Sequence, residues 1–184
     1  LASGGWDGWL RVWELPTPGP WPVFKYLLGE PVYSLAYSPD GKSLASGSDQ
    51  GDIFLWEIAS GKIVGDPLRG HSAGIQSLAF SPDGRFLASG SDDYTVTLWD
   101  IAKRVMFHNP LTGHSDTVTS VAFSPDSKKI AGGSYDETII IWDVDSGQPI
   151  GQPFVGQADY VTSIAFSPDG HMLASGGWDE HLLL

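Results

Sequence analysis

The chain has 184 residues, of which 41% are hydrophobic and 17% are charged, and its formal net charge at pH 7 is −12. Only 10 residues are lysine or arginine, and binding to nucleic acid depends on such cations displacing counterions, so we exclude a nucleic-acid partner. The apolar runs are all far shorter than the roughly 18 residues that a membrane-spanning helix needs, which excludes a membrane span.

The sequence begins with the letters LASGGWD at residues 1–7, and the same letters return at residues 173–179. Between these two copies, tryptophans that precede an acidic residue recur every 43 residues, at Trp13, Trp56, Trp99 and Trp142. Self-similarity at a fixed period of this size is typical of repeat architectures. The chain therefore consists of four periods and a remainder, and it starts and stops inside a repeat.

Each period predicts four short strands, which are clearest in the copy that contains Trp99. Residues 75–80 (IQSLAF) predict a first strand, which ends at the sequence SPDG, where a proline and a glycine favour a tight turn. Residues 86–90 predict a second strand, and residues 95–100, rich in β-branched and aromatic side chains, predict a third. A fourth is predicted near residues 105–109. Four short strands in each period are typical of one blade of a β-propeller.

The sequence thus predicts an all-β fold, an open propeller segment of about four four-stranded antiparallel blades. We place a partial blade at residues 1–28, full blades at residues 29–71, 72–114 and 115–157, and a second partial blade at residues 158–184. Prolines recur near the end of the fourth strand, where an outer edge tolerates the missing N–H, at Pro67, Pro110 and Pro153. The strands of a first and a last partial blade cannot complete one another, so we expect exposed blade faces and self-association through them.

The segment at residues 14–31 departs most from the other copies, because prolines replace the usual connection to the next blade. It keeps the period of 43 residues, so we interpret it as a stiffened fourth strand rather than an insertion. Recognition of this segment by a partner that binds proline-rich sequences is the alternative.

With these features, the chain resembles the WD-repeat β-propeller family along essentially its whole length. The motifs that carry the resemblance are the Gly-His pairs ending at His71 and His114, the SPD turns, and the Trp-Asp or Trp-Glu pairs at the four periodic tryptophans. A lone Trp-Asp pair would mean little, but the motifs recur in register in four copies. The resemblance implies that the chain is one part of a longer propeller protein.

The resemblance also implies a buried hydrogen-bonded network in each blade, which joins a histidine, a hydroxyl residue, an aspartate and the tryptophan. Carried over by position, the complete network consists of His71, Ser89, Asp93 and Trp99. A second copy consists of His114, Asp136 and Trp142, with Gly132 in the place of the hydroxyl. In the copy that ends in Trp56, Leu28 and Gln50 stand where the histidine and the aspartate are expected.

Serine, histidine and aspartate in one repeat also suggest a hydrolase. A catalytic group is needed once, on one unique face, whereas these residues recur with the period, so we assign them a structural role and no catalytic one. The sequence DVDSG at residues 143–147 is similar to half of a calcium loop but lacks the downstream carboxylate. The histidines have no metal-ligand spacing and the chain has no cysteine, so we expect no metal and no cofactor.

Residues that vary between copies while the repeat stays constant are the candidates for binding. One such position directly precedes the aspartate of the second turn, and another directly precedes the first strand. Both belong to loops that we expect on one rim of the propeller, and aromatic side chains there are the candidate anchors for a partner: Trp6, Tyr135, Tyr160 and Trp178.

By analogy with the family, we expect a non-catalytic protein–protein interaction scaffold, one module of a larger regulatory, signalling or assembly protein, with proteins or peptides as partners. Two alternatives stay open. One is a regulatory propeller attached to a catalytic domain, such as a kinase, protease or NTPase, outside these residues. The other is an assembly in which several copies complete one ring. The lack of cysteine fits a reducing compartment, so we expect a cytoplasmic protein.

Overall fold

The computed structural model describes residues 1–13, 24–155, 158–178 and 182–183. Within these ranges the regular structure is antiparallel strand, and no helix there is long and apolar enough to cross a membrane. The strands in chain order are β1 (Ala2–Ser3), β2 (Trp9–Val12), β3 (Phe24–Leu27), β4 (Val32–Tyr37), β5 (Ser43–Ser48), β6 (Ile53–Glu57), β7 (Lys62–Ile63), β8 (Ile75–Phe80), β9 (Phe86–Ser91), β10 (Val96–Asp100), β11 (Val105–Met106), β12 (Val118–Phe123), β13 (Lys129–Ser134), β14 (Thr138–Asp143), β15 (Phe154–Val155), β16 (Val161–Phe166), β17 (Leu173–Gly177) and β18 (Leu182–Leu183).

These strands form separate small sheets, each with its strands in chain order. Three sheets have four strands, β4 to β7, β8 to β11 and β12 to β15, and they are flanked by the three-stranded sheets β1 to β3 and β16 to β18. Among the described residues, the first sheet has no equivalent of the innermost strand and the last has no equivalent of the outermost one. The predicted fold class, an all-β open propeller segment, is confirmed.

The fourth strand of the blade that contains Trp99 is shorter than predicted. Instead of residues 105–109, only Val105 and Met106 form a strand, and the chain rejoins the sheet at Leu111, opposite Val96. Pro110 has no N–H to donate, so the ladder is interrupted before it and resumes directly after it. Residues 14–23 of the proline-rich segment lie outside the described residues.

The hydrophobic core lies between neighbouring sheets. One cluster joins Val96 and Leu98 of one blade to Val118 and Val121 of the next, and further clusters repeat this arrangement along the chain. The periodic tryptophans of the three complete blades are almost fully buried in these layers. Each blade is therefore stabilised by its neighbours, as expected for an array that buries its apolar surface between repeats.

A β-bulge near the start of each innermost strand aims one side chain at the adjacent loop. The register of pairing shifts there in β4, β8, β12 and β16. The bypassed residues occupy equivalent positions, and they are Tyr33, Gln76, Thr119 and Thr162. Bulges commonly redirect a side chain in this way, and here they bring Tyr33 and Gln76 to the loops that join second and third strands.

Serine hydroxyls next to these bulges tie neighbouring blades together. Ser77 Oγ accepts a hydrogen bond from the backbone N–H of Val121 at 3.1 Å, and Ser120 Oγ accepts one from Ile164 at 3.2 Å. The equivalent residue of the last blade, Ser163, is exposed.

We expect Ser120→Ala to lower the free energy of unfolding by about 1 kcal/mol, because the Ile164 N–H loses its partner between two blades. Urea denaturation measures this difference. Ser163→Ala is the matched control, since its side chain is exposed, and an equal loss in both variants would contradict a role of the serine between blades.

Candidate functional site

The side chains of the complete network lie in direct hydrogen-bonding contact. His71 Nδ1 is 2.8 Å from Asp93 Oδ2, and His71 Nε2 is 2.7 Å from Ser89 Oγ. Trp99 Nε1 donates to the same Ser89 oxygen at 2.8 Å. With the proton of the neutral imidazole on Nδ1, which donates to the carboxylate, Ser89 donates to Nε2 and accepts from the indole. The network thus ties the loop before the first strand to the second and third strands.

Burial excludes Ser89 from attacking a substrate in this fold. Ser89 is 0% exposed and Trp99 is 1% exposed, and the His71 side chain is also fully enclosed. A nucleophile needs access to a substrate and a nearby site for the developing oxyanion. The arrangement of serine, histidine and aspartate therefore serves the blade.

The second copy of the network uses a backbone oxygen where the hydroxyl is missing. His114 Nδ1 lies 2.9 Å from Asp136 Oδ2, and His114 Nε2 lies 3.1 Å from the carbonyl oxygen of Gly132. Each ring nitrogen thus lies within hydrogen-bonding distance of an oxygen atom. His114 also packs edge-on against Trp142, with ring centroids 5.7 Å apart.

In the copy that ends in Trp56, an apolar contact replaces the polar one. Trp56 Nε1 still donates to Ser46 Oγ at 2.9 Å. Leu28 lies where the other blades have histidine, and it packs in the cluster that contains Trp56 and Leu44. The Trp56 indole keeps its hydrogen bond. Because leucine replaces the histidine, this position has no imidazole nitrogen that needs a hydrogen-bond partner.

The aspartates of both histidine networks are held in the charged form. Burial raises the pKa of Asp93, but hydrogen bonds from His71 and Thr95 lower it by more, so that its pKa lies well below the ordinary value. The pKa of Asp136 is lowered in the same way, against the effect of burial, by hydrogen bonds from Thr138 and the Ser115 N–H. These carboxylates stabilise the folded chain at neutral pH.

The loops that join second to third strands, and those that lead into the first strand of each blade, lie on one rim, which we call the upper rim. Three of the predicted anchors form a continuous row there. The ring centroids of Tyr135 and Tyr160 are 4.6 Å apart, and those of Tyr160 and Trp178 are 5.6 Å apart. Trp178 is 66% exposed and Tyr160 is 37% exposed. We refer to Tyr135, Tyr160 and Trp178 as the aromatic row.

The fourth predicted anchor, Trp6, packs elsewhere on the upper rim. Its ring lies 6.2 Å from that of Tyr33, and Trp6 is 85% exposed. A shallow depression of about 460 Å³ adjoins this pair and is lined by Gly4, Gly5, Trp6, Val32, Tyr33, Gln76 and Asp92.

Carboxylates on the upper rim accept hydrogen bonds from neutral side chains. Tyr33 Oη donates to Asp49 at 2.8 Å, and this hydrogen bond raises the pKa of Tyr33. Gln76 Nε2 donates to Asp92 at 2.9 Å, and Thr117 Oγ1 donates to its other oxygen at 3.1 Å. Sequence reasoning did not select Tyr33 or Gln76, although their shared position one residue after the start of the first strand could have indicated them.

No combination of ligands for a metal ion is brought together in the described part of the chain. Nowhere in that part do three or more histidine, aspartate or glutamate side chains come close enough to hold an ion. The carboxylates of the SPD turns are used internally instead: in each turn the serine hydroxyl donates to the aspartate two residues later.

The sequence matches a family model described as "WD domain, G-beta repeat" over residues 24–57, 61–100, 106–143 and 147–184. Among curated proteins, Protein HIR1 of Kluyveromyces lactis is 32% identical over 82 residues, which cover 33% of this chain and 9% of that protein. Periodic tryptophan protein 2 homolog of Schizosaccharomyces pombe is 34% identical over 70 residues, which cover 34% of this chain and 7% of that protein.

A plant protein is similar to the same extent. Small ribosomal subunit protein RACK1y of Oryza sativa subsp. japonica is 35% identical over 66 residues, which cover 35% of this chain and 19% of that protein. The matches therefore span only a small part of the length of the curated relatives.

Proposed function

Because the chain belongs to the WD40 repeat family, we propose that it is a non-catalytic protein-interaction module of a larger regulatory, signalling or assembly protein. The observation that carries the proposal is the aromatic row, in which the exposed rings of Tyr160 and Trp178 and the half-buried ring of Tyr135 stand side by side on one rim. Trp and Tyr dominate the residues that contribute most to binding at protein interfaces. Its partner is a protein or a peptide.

The arrangement of the fold supports this use of the upper rim. The histidine networks and the buried tryptophans stabilise the blades from within, so loop-tip side chains such as Trp178 are free to vary without loss of the core. A rigid framework that positions variable loops is a common basis for binding sites. Assignment to a larger protein is supported by the relatives, which are far longer than the segments they share with this chain.

The other parts of the proposal need separate measurements. A regulatory propeller attached to a catalytic domain would use the same rim. The sequence encoded on either side of the chain distinguishes this alternative from a scaffold module, because it shows whether a catalytic domain is present. Light scattering measures self-association through the open blade faces. Fractionation of the cell tests the cytoplasmic location.

We expect peptides that bind the folded chain, selected from a random phage-displayed library, to lose affinity when the aromatic row is altered. Trp178→Ala should weaken binding by about 2 kcal/mol, or about 30-fold in Kd, because a large and exposed anchor is removed. Tyr160→Ala and Tyr135→Ala should act in the same direction. Fluorescence anisotropy with the selected peptides measures Kd, and circular dichroism checks that each variant remains folded.

Two controls lie outside the aromatic row. Phe154 is an exposed aromatic residue on the outer strand β15, 56% accessible, and Lys62 lies at the start of β7, so Phe154→Ala and Lys62→Ala should leave Kd within about twofold. A selection that yields no Trp178-dependent peptide, or equal losses at Phe154 and Trp178, would refute binding through the aromatic row.

A further inference from the structure

The charges of the chain are divided unevenly between its two rims. The SPD turns and the connections from third to fourth strands form the opposite edge, which we call the lower rim. Most of the lysine and arginine residues lie there, namely Lys42, Lys62, Arg85, Lys103, Arg104, Lys128 and Lys129. The acidic residues of the lower rim are Asp40, Glu57, Asp83, Asp100, Asp126, Asp143, Asp145 and Asp169. The lower rim is therefore close to neutral.

The upper rim has a large excess of negative charge. Its acidic residues in the described ranges are Asp7, Glu30, Asp49, Asp52, Asp92, Asp93, Asp116, Asp136, Glu137 and Asp159. Of the lysine and arginine residues, Arg69 belongs to an upper-rim loop, and it is paired with Asp52 at 3.1 Å. Arg11, in β2, contacts Asp7 at 2.7 Å. Most of the net charge of the described residues thus belongs to the upper rim, where Asp93 and Asp136 are taken up by the histidine networks.

Two of these carboxylates are oriented but not neutralised. Asp49 and Asp92 are half-buried, and their side-chain partners are the uncharged groups of Tyr33, Gln50, Gln76 and Thr117. A hydrogen bond from a neutral donor positions a carboxylate and leaves its charge in place. Each can therefore attract a cation from solution.

The oriented carboxylates and the aromatic row are parts of one continuous surface. Thr117 links them, because its hydroxyl donates to Asp92 and its carbonyl oxygen accepts the backbone N–H of Tyr135 at 3.0 Å. Beyond Tyr135 the rings of Tyr160 and Trp178 follow in contact. The face of an aromatic ring attracts a lysine or arginine side chain, most strongly for tryptophan. Carboxylates and ring faces therefore favour the same type of ligand.

We propose that the segment bound on the upper rim is a lysine- and arginine-bearing peptide, whose cationic side chains lie against the aromatic row and beside Asp92 and Asp49. This inference rests on the proposed function and adds the chemistry of the partner. Complementary charge also speeds association and excludes acidic partners, because like charges that meet across an interface repel. Phosphorylated or otherwise acidic segments are disfavoured for the same reason.

The test compares two fluorescein-labelled peptides of equal length, one alternating lysine with alanine and the other alternating glutamine with alanine. We expect the lysine peptide to bind and its affinity to fall as salt is raised, since exposed charges are screened. Asp92→Asn should weaken its binding about fivefold, the effect of losing one partly exposed charge pair. Trp178→Ala should weaken it as well, through the loss of a cation–π contact.

Asp145→Asn is the matched control, because it removes the same charge from an exposed position on the lower rim. It should change Kd for the lysine peptide by less than about twofold. An equal effect of Asp145→Asn and Asp92→Asn, or no binding of the lysine peptide, would overturn the proposal. Tight binding of the glutamine peptide that depends on Trp178 would overturn the cationic preference alone and leave the upper rim as a binding surface.

Discussion

Asp93→Ala is expected to lower the free energy of unfolding by about 3 kcal/mol, because it removes the acceptor of several hydrogen bonds at once, one of them from the enclosed His71 side chain. Asp93 accepts from His71 Nδ1, from the Ser72 N–H and from both the N–H and the hydroxyl of Thr95. The His71 side chain is 0% exposed, so water cannot replace the lost partner without opening the blade. Urea denaturation at neutral pH measures the difference.

The effect of Asp93→Ala should depend on pH. The pKa of Asp93 is lower in the folded chain than in the unfolded one, so its contribution is complete above the unfolded value of about 4 and is lost as the pH falls through the folded value. The gap in stability between wild type and variant should therefore narrow below about pH 4. Asp92→Ala, which changes the neighbouring carboxylate outside the histidine network, is the control, and an equally large loss there would show that the network is not the cause.

Gly90→Val is expected to destabilise the chain by about 3 kcal/mol, because the glycine lies where two neighbouring blades pack against each other. A Cβ atom at Gly90 would lie 2.7 Å from Val118 Cγ1 and 3.0 Å from Val121 Cγ1, both in the innermost strand of the next blade. These valines are buried and their branched side chains have few alternative rotamers. The two sheets would have to separate, and thermal or urea denaturation would report the loss.

The chain supplies its own control for this prediction. Gly176 occupies the equivalent position in the last blade, and a Cβ atom there would meet none of the described residues within 4 Å. Gly176→Val should therefore change stability by less than about 0.5 kcal/mol. If both variants lose the same free energy of unfolding, the loss arises from the backbone of the strand and not from the contact between the blades. Partial recovery in a Gly90→Val, Val118→Ala double variant, relative to the sum of the single changes, would confirm the contact.

Strands and turns of the repeat could be predicted in detail from the sequence. The first strand of the Trp99 blade was expected at residues 75–80 and is Ile75–Phe80, because a short run of residues bounded by an SPDG turn determines the local backbone. The fourth strand was predicted to be too long, because the strand propensity of its residues did not reveal that Pro110 interrupts the ladder. The resemblance to WD repeats supplied the members of the histidine network, and the structure supplied their geometry.

Contacts between blades could not be predicted in the same way. The sequence indicated Trp6, Tyr135, Tyr160 and Trp178 as one group of rim aromatics, whereas the structure joins the last three in a row and packs Trp6 against Tyr33. Likewise, the use of the Gly132 carbonyl by His114 depends on how closely the loop approaches the second strand. Neither the packing of Trp6 on Tyr33 nor the contact of His114 with Gly132 can be predicted from the spacing of these residues in the sequence.

The sequence by itself determined the period, the strand order and the turn aspartates, because each of these follows from local backbone preferences repeated every 43 residues. Only the tertiary structure decided how the loops of separate blades meet. The bulges that aim Tyr33 and Gln76 at Asp49 and Asp92, and the approach of Thr117 to Asp92 beside Tyr135, depend on the angle and distance between packed sheets. Those quantities are determined by how the apolar faces of neighbouring blades fit together, which no single repeat encodes.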